Sequence, residues 1–266
     1  MKPAVLIAIL IAASSNGGNA RPVAQAADRA PPATMAATSA EGRIPPGYLA
    51  GKPPVDILKV MPPPPATDSA QGIADRTIYA ASTAGIEGPR WKEAISELNP
   101  ASPAYFAKLS CAVGAAISPA TTPVTMAMIA RVGADFTTPM ATAKNFYKRP
   151  RPFTTDHGQA CDPASADGVG ERLGWSYPSG HSGIGWLWAI LLSEAAPANA
   201  EKIRTFGQAT GDLRIACRVH WLSDVAYGRV LATSVYDRLA AEPEFRADLA
   251  RATAELAAAP APACPG

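Results

Sequence analysis

The chain has 266 residues, a formal charge of +2 and 48% hydrophobic residues, values that are typical of a soluble protein with one or two domains. Charged residues make up only 17% of the chain, against about 25% in an average domain. Because the basic residues are also scattered, nucleic-acid binding is not favoured. Beyond the N-terminus no apolar run approaches the roughly 20 residues of a membrane-spanning helix, so we expect no membrane span.

Residues 1–26 have the pattern of a secretory signal peptide. Lys2 provides a positive start, residues 4–13 are uninterruptedly apolar, and small residues precede possible cleavage points after Ala20 and Ala26. We prefer cleavage after Ala26; the alternative is a buried N-terminal helix. Export predicts a periplasmic protein in an oxidising compartment, where cysteines can pair. The chain has four, and the sequence alone does not fix their connectivity: Cys111, Cys161, Cys217 and Cys264.

Residues 27–68 form a proline-rich segment, which we call the arm, with ten prolines between Pro31 and Pro65. Proline fixes φ and lacks a backbone donor, so the composition predicts an extended, partly polyproline arm on or beside the folded body. Disorder is the alternative.

Residues 69–259 predict an all-α architecture, a single compact domain of about eight helices with the active site between a central helix pair, followed by a tail at residues 260–266. Helix-length segments rich in Ala, Leu, Ile and Met are separated by Gly, Pro and Asn, and Pro starts several of them. The predicted helices are Ala70–Ala84, Pro89–Glu97, Pro103–Ile117, Pro123–Tyr147, Gly180–Ala195, Ala198–Ala216, Ser223–Ala241 and Pro243–Ala258. The long irregular stretch Phe153–Tyr177 interrupts them, and such loops are usually functional or tied down.

A first candidate segment carries Lys144 near a helix end and Arg151 between two prolines. The residue before a proline is pushed out of the helical region, so Arg151 should project from a rigid, extended exit. Taken alone, a solvated basic cluster is the more common explanation.

A second segment places Ser179 and Gly180 at a helix start, where free N–H groups and the helix dipole favour an anion. His181 then lies in the first turn. The alternative is an ordinary serine cap beside an exposed histidine.

A third segment contains Arg214, His220 and Asp224. The histidine and the aspartate are four residues apart, so on a helix they share a face, and the carboxylate can hold one imidazole nitrogen while the other acts as base or nucleophile. The alternative is an exposed pair of little energetic consequence.

Together the three segments closely resemble the signature K-x6-R-P, P-S-G-H, S-R-x5-H-x3-D of the type-2 phosphatidic acid phosphatase superfamily. The Ser-Tyr-Pro-Ser-Gly-His run and the export signal resemble the bacterial class A non-specific acid phosphatases in particular. The resemblance covers residues 102–241 and departs from the signature at Leu213, where the motif has serine. The matching positions are Lys144, Arg151, Pro152, Pro178, Ser179, Gly180, His181, Arg214, His220 and Asp224.

The resemblance implies hydrolysis of small phosphomonoesters to inorganic phosphate without a metal or other cofactor. His220 would be the nucleophile, Asp224 would orient it, and His181 would act as the general acid. Cations and N–H groups would bind the phosphate, as phosphoryl transfer requires: Lys144, Arg151, Ser179, Gly180 and Arg214. The remaining histidine, His157, is predicted to be a structural loop residue near the cleft.

Aromatic residues flank these segments. We expect Trp186, Trp188 and Trp221 to pack in the core, whereas Trp175 and Tyr177, beside the anion-binding turn, are weaker candidates for lining the entrance.

Three other functions share part of this pattern. A vanadate-dependent haloperoxidase would use the same anion site, and a membrane lipid phosphatase would need spanning helices that this chain lacks. A non-catalytic, exported oxyanion-binding module would have no use for the pair formed by His220 and Asp224. A homo-oligomer is possible, and the arm could reach a neighbouring chain.

The convergence of the motifs also bears on the cysteines. Cys161 lies between Arg151 and Pro178, and Cys217 lies between Arg214 and His220; because those flanking residues must meet around one phosphate, the two cysteines are predicted to form a disulfide. Cys111 and Cys264 would then pair or remain free. The alternative is that Cys217 is a reduced core residue.

Overall fold

The computed structural model describes residues 46–264. In this range the secondary structure consists of α-helices with short 3-10 turns and no β-strand, which confirms the predicted all-α class. The predicted signal peptide and residues 27–45 of the arm lie outside the described residues. The α-helices are α1 (Ile57–Val60), α2 (Ala70–Ala81), α3 (Pro89–Ser96), α4 (Pro103–Val113), α5 (Pro123–Tyr147), α6 (Phe153–Asp156), α7 (Gly180–Ala195), α8 (Ala200–Ala216), α9 (Leu222–Ala240) and α10 (Pro243–Ala258).

The eight predicted helices are all present, with ends that local chemistry explains. Proline is the first residue of α3, α4, α5 and α10, where a missing N–H costs nothing. Helix α4 stops at Val113, short of the predicted Ile117, because Gly114 adopts a left-handed conformation with φ 79°. Two single-turn helices, α1 and α6, were not predicted, since four residues carry no readable periodicity.

Helix α7 lies at the centre of the molecule and packs closely against α8 and α9. The approach to α8 depends on glycine: a Cβ on Gly207 would lie 2.4 Å from the Ala189 Cβ and 2.7 Å from the Gly185 carbonyl oxygen. Although α7 is buried along most of its length, neither it nor any other helix in the described range is long and apolar enough to cross a membrane. The close packing brings the start of α7 beside the end of α8 and the start of α9.

A second, smaller apolar cluster fills the space under the long irregular stretch. At its centre is the disulfide between Cys161 and Cys217, with sulfur atoms 2.01 Å apart, and the Cys161 N–H donates to the Cys217 carbonyl at 2.9 Å. This confirms the predicted pair and excludes a reduced Cys217. The bond ties the irregular stretch to the segment that connects α8 to α9.

The other two cysteines also pair. The sulfur atoms of Cys111 and Cys264 are 2.13 Å apart, which resolves the choice that the sequence left open. Nearby, the Ala116 N–H donates to the Pro260 carbonyl at 2.9 Å. The tail is therefore fastened to the end of α4.

The described part of the arm packs against the helical body. The buried Tyr48 ring lies under the Arg131 guanidinium, 3.6 Å from ring centroid to Cζ, and its hydroxyl donates to Asp248 Oδ2 at 2.8 Å. Further along, the hydroxyl of Tyr147 donates to the Met61 carbonyl at 2.7 Å. From Pro46 onward, the arm is part of the folded structure.

Candidate active site

Four elements bring the three motif segments together. Ser179, Gly180 and His181 start α7, and the Ser179 N–H donates to the Asp224 carbonyl in the first turn of α9 at 2.9 Å. Arg214 lies in the last turn of α8, while Lys144 lies in the last turn of α5. The packing of α7 against α8 and α9 thus places residues distant in sequence around one site.

His220 and Asp224 form the expected pair, but not on one helical face. His220 precedes α9, which begins at Leu222. The His220 Nδ1 and the Asp224 Oδ2 are 3.3 Å apart, and the same oxygen accepts from the Trp221 N–H at 2.8 Å. Asp224 therefore caps the start of its helix and holds the imidazole with one carboxylate oxygen.

The other nitrogen of His220 faces a cation. Its Nε2 lies 3.2 Å from Arg151 Nη1. Since guanidinium only donates, this contact assigns the lone pair to Nε2 and the proton to Nδ1, opposite Asp224. Burial, together with the positive charges of Arg151 and Lys144, holds the pKa of His220 well below its usual value, so the ring is neutral with an available lone pair.

Arg151 is held rigidly by main-chain oxygens. Its guanidinium donates to the carbonyls of Leu173 at 2.7 Å, Gly174 at 2.8 Å and Val219 at 2.9 Å, and only 6% of the residue is exposed. Burial lowers its pKa to about 10. The irregular stretch between α6 and α7 provides two of these carbonyls, and the segment between α8 and α9 provides the third, so that together they hold this cation facing His220.

Lys144 lies beside the same stretch. Its Nζ donates to the Trp175 carbonyl at 2.5 Å. Desolvation, with the nearby charge of Arg151, lowers the pKa of this lysine well below its usual value. An anion placed here would relieve the repulsion between the two cations.

One hydrogen-bond donor of the Arg214 guanidinium is buried and unpaired within residues 46–264. Its Nη2 donates to the Ala94 carbonyl at 2.9 Å, while its buried Nε has no hydrogen-bond partner in residues 46–264. Burial lowers its pKa to about 10, and the negative charge of Glu97 partly opposes this. Buried N–H groups are nearly always paired, so this one is available for a bound anion.

The start of α7 differs from the sequence-based expectation in one respect. The Ser179 N–H is occupied by the Asp224 carbonyl at 2.9 Å, and its Oγ accepts from the Ser182 N–H at 3.4 Å. Gly180 and His181 are the first two residues of the helix, whose N–H groups have no intrahelical acceptor. An anion at this helix start would therefore meet Gly180 and His181 rather than the Ser179 N–H.

His181 contacts the segment after α3. Its Nε2 is 2.9 Å from the Leu98 carbonyl, so Nε2 carries a proton and Nδ1 is left for other partners. Burial, followed by the charge of Arg214 and smaller effects of Arg151 and Lys144, lowers the pKa of His181 to about 3. Arg151, Lys144 and Arg214 therefore act electrostatically on both histidines.

Four polar residues of the site were not predicted from the sequence. The Ser176 hydroxyl donates to Asp224 Oδ2 at 2.5 Å, and Arg149 Nη1 donates to Asp224 Oδ1 at 2.6 Å. Ser223 and Asp75 complete the arrangement around Arg149. Ser176, Arg149 and Ser223 lie inside the motif segments, so their position was a usable signal; Asp75, on α2, offered none.

Leu213 does not face the site. It is buried in the smaller apolar cluster with Trp91 and Phe153. The departure from the signature therefore adds a packing residue at this position.

The burial of the aromatic residues differs in part from what we expected. Tyr177 is fully buried and its hydroxyl donates to the Pro62 carbonyl at 2.8 Å, so it does not line an entrance. Trp175 remains exposed at 39%. Trp188 and Trp221 are buried as expected, whereas Trp186 is only partly buried.

His157 lies apart from the pair formed by His220 and Asp224. His157 is exposed just after α6, with φ 53°. Within the described range, no group of three or more His, Cys, Asp or Glu residues is arranged to hold a metal ion.

Comparison with known proteins agrees with this site. Residues 120–236 match the PAP2 superfamily. A non-specific acid phosphatase of Salmonella typhimurium is 35% identical over 199 residues, which cover 74% of this chain and 78% of the relative. One of Providencia stuartii is 31% identical over 83% of this chain and 92% of the relative, and an acid phosphatase of Zymomonas mobilis is 32% identical over 75% of each. With both its sequence relatives and its site pointing the same way, the chain belongs to the non-specific acid phosphatases of the PAP2 superfamily.

Proposed function

We propose that this protein is an exported acid phosphatase that hydrolyses phosphomonoesters through a phosphohistidine on His220, without a metal ion. The observation that carries the proposal is the state of His220. Its Nδ1 is held by the Asp224 carboxylate, while its Nε2 lone pair faces Arg151 in a site with two further cations.

In the first step the Nε2 lone pair of His220 attacks phosphorus. An N–P bond forms as the bond from phosphorus to the leaving oxygen breaks, and the ring becomes positively charged. The Nδ1–H keeps its contact with Asp224, whose negative charge stabilises the charged ring. The buried position of Asp224 strengthens this effect because the local dielectric constant is low.

His181 would move the protons. When a phosphate dianion binds, its charge raises the pKa of His181, and the protonated ring can give its Nδ1 proton to the leaving oxygen. In the second step the same nitrogen takes a proton from a water that attacks phosphorus, the N–P bond breaks and inorganic phosphate leaves. The contact between Nε2 and the Leu98 carbonyl keeps the ring in place throughout.

Lys144, Arg151 and Arg214 would stabilise the phosphoryl oxygens, together with the N–H groups at the start of α7. Phosphoryl transfer depends mainly on positioning and charge stabilisation, a role that metal ions fill in many phosphatases. Three buried or partly buried cations can supply the same positive charge. This supports a mechanism independent of metal.

Export is supported by the cysteines and by the N-terminal sequence pattern. Both disulfides join pairs far apart in the chain, and such bonds persist in oxidising compartments. The periplasm is the compartment that fits a secretory signal peptide at residues 1–26.

The central test uses p-nitrophenyl phosphate at acidic pH, with and without EDTA, and acid quench with phosphate-labelled substrate. We expect turnover unaffected by EDTA and a label on His220. His220→Ala should abolish both, while His157→Asn, which changes an exposed histidine and tolerates the left-handed backbone, should retain both. A label that persists in His220→Ala contradicts the assignment. Bromide oxidation with vanadate and peroxide, or phosphate binding without turnover, would indicate the haloperoxidase or the binding module.

A second test addresses His181. A general acid matters most when the leaving group is poor, so His181→Asn should lose far more activity on an alkyl phosphate than on p-nitrophenyl phosphate. Equal losses on the two substrates would show that His181 only positions the phosphate.

A further inference from the structure

Asp75 is a buried acidic residue on α2 that belongs to none of the three motif segments. Only 2% of it is exposed. Its Oδ1 accepts from the Ser223 N–H at 2.8 Å, and its Oδ2 accepts from the Ser223 hydroxyl and from Arg149 Nη2 at 2.7 Å. Helix α2 thereby reaches the first turn of α9, the helix that carries Asp224.

Arg149 bridges two buried carboxylates. Its Nη2 donates to Asp75, while its Nη1 donates to Asp224 Oδ1 at 2.6 Å and to the Ser223 hydroxyl at 2.7 Å. The two ends of one rigid guanidinium are therefore fixed by separate partners. Such a planar, two-point contact specifies orientation as well as charge.

Asp224 divides its two oxygens between this bridge and the nucleophile. Oδ1 is bound by Arg149, which leaves Oδ2 for His220 Nδ1 at 3.3 Å, the Ser176 hydroxyl and the Trp221 N–H. A continuous hydrogen-bonded chain thus runs from Asp75 through Arg149 and Asp224 to the imidazole.

We propose that Asp75 is a positioning residue for the phosphohistidine step, acting through Arg149 and Asp224. This inference rests on the proposed function. Asp75 fixes one end of the guanidinium, so that Arg149 anchors Asp224 Oδ1 and aims Oδ2 at the imidazole. It also shares the single positive charge of Arg149, so that Asp224 keeps negative charge to stabilise the ring when the ring becomes positive.

The charges around His220 indicate why this sharing matters. Asp224 faces Nδ1, whereas the positive charges that oppose protonation of the ring come from the cations packed around it: Arg151, Lys144 and Arg214. With two carboxylates and one arginine, the network of Asp75, Arg149 and Asp224 is formally negative. An excess buried charge is costly by itself, but here it lies behind the ring that must bear a positive charge.

The test replaces Asp75 by asparagine, which keeps the size of the side chain and removes its charge. We expect kcat and the single-turnover rate of phosphoenzyme formation to fall about 10–100-fold, the usual effect of losing a residue that orients a ligand. The inhibition constant of inorganic phosphate should stay within about 3-fold, since the residues that bind phosphate are untouched. A fall in kcat without a change in phosphate affinity distinguishes a positioning role from a general structural role.

Asp248→Asn is the matched control. Asp248 is also buried, with 7% exposed, and likewise bonds to an arginine, Arg131, and to a hydroxyl, that of Tyr48, but it lies on α10. The same chemical change there should lower the melting temperature and leave kcat unchanged. Unchanged kcat in Asp75→Asn, or parallel losses of kcat and phosphate affinity, would overturn the inference.

If Asp75→Asn does not fold, Ser223→Ala gives the decisive measurement, because it removes one hydroxyl from the same network without changing a charge. A selective fall in kcat supports the inference and an unchanged kcat overturns it. Acid quench of the unmodified enzyme distinguishes a failure of the inference about Asp75 from a failure of the proposed function. A label on His220 with an unaffected Asp75→Asn variant rejects only the role of Asp75, whereas the lack of a phosphohistidine rejects the proposed function together with it.

Discussion

The arginines on the two sides of the site have different kinds of partner. Behind His220, Arg149 is matched by carboxylates on both of its ends, Asp75 and Asp224. Across the site, Arg151 and Arg214 donate to main-chain carbonyls, and burial lowers the pKa of each to about 10. On the first side the arginine already has carboxylate partners without substrate, while the second side gains most from an incoming anion. In the mechanism that we propose, the first side holds the nucleophile and the second binds phosphate.

The largest expected effect comes from the side that holds the nucleophile. Asp224→Asn keeps the shape of the side chain but removes the charge that stabilises the ring and can reverse its tautomer. We expect kcat to fall roughly 10³–10⁴-fold, by analogy with the loss of the orienting carboxylate in other histidine-dependent enzymes. Steady-state kinetics and phosphate inhibition measure this, and a phosphate inhibition constant that rises as much as kcat falls would remove the distinction between the two sides.

A substitution on the proposed phosphate-binding side should instead weaken the binding of inorganic phosphate. Arg214→Met retains the buried aliphatic volume and loses the charge and the unpaired Nε donor. We expect kcat/KM to fall about 10²–10³-fold, with a marked rise in the inhibition constant of inorganic phosphate. Arg229→Met, which removes a partly buried arginine paired with Asp212, is the control and should leave phosphate affinity unchanged. A loss confined to kcat would contradict the assignment of Arg214 to ground-state phosphate binding.

The two disulfides extend the comparison to stability. The bond between Cys161 and Cys217 closes a loop with a sequence separation of 56, and that between Cys111 and Cys264 one of 153. Removing either, by replacing both cysteines with alanine, should cost roughly 4–5 kcal/mol of the free energy of unfolding. Below the melting temperature, only loss of the bond from Cys161 to Cys217 should also lower kcat, because Cys217 lies between Arg214 and His220. Equal activity of the two variants would show that this bond does not affect the site.

The smallest expected effect is the pH dependence of stability. His181 has a folded-state pKa of about 3 against about 6.5 in the unfolded chain. Between these values the unfolded state binds more protons, so stability falls as pH decreases from about 6.5 towards 3. His181→Asn should flatten this decline by up to about 1.4 kcal/mol per pH unit. Urea unfolding at several pH values measures it, and an unchanged slope would contradict a partly buried, neutral His181.

Much of the fold could be predicted because its signals are local. Prolines at helix starts and serine caps each act within one turn of the chain. The left-handed Gly114 is also a local signal, but it ended α4 earlier than predicted. The motif spacings likewise selected the histidines and cations that the structure brings together. The two four-residue helices, α1 and α6, were not predicted because they are too short to show a helical periodicity in the sequence.

What the sequence could not predict depends on contacts between distant residues. Asp75 and Arg149 are 74 residues apart in sequence, and nothing in the composition of α2 indicates their bond. Tyr177 was a weaker candidate for lining the entrance because it adjoins the predicted anion-binding turn, but neighbours in an extended segment point in different directions. Its side chain turns inward, against Tyr147 and Tyr227, and only the packing decides that.

The attachment of the arm has a consequence for proteolytic processing. The carbonyls of Met61 and Pro62 accept the hydroxyls of Tyr147 and Tyr177, and Tyr177 lies between Ser176 and the start of α7. Trimming that removed residues 46–66 would leave both hydroxyls without these acceptors beside the turn that starts α7. Shortening the chain up to Pro46 would leave these contacts intact, whereas we expect the removal of Met61 and Pro62 to disturb the turn that starts α7.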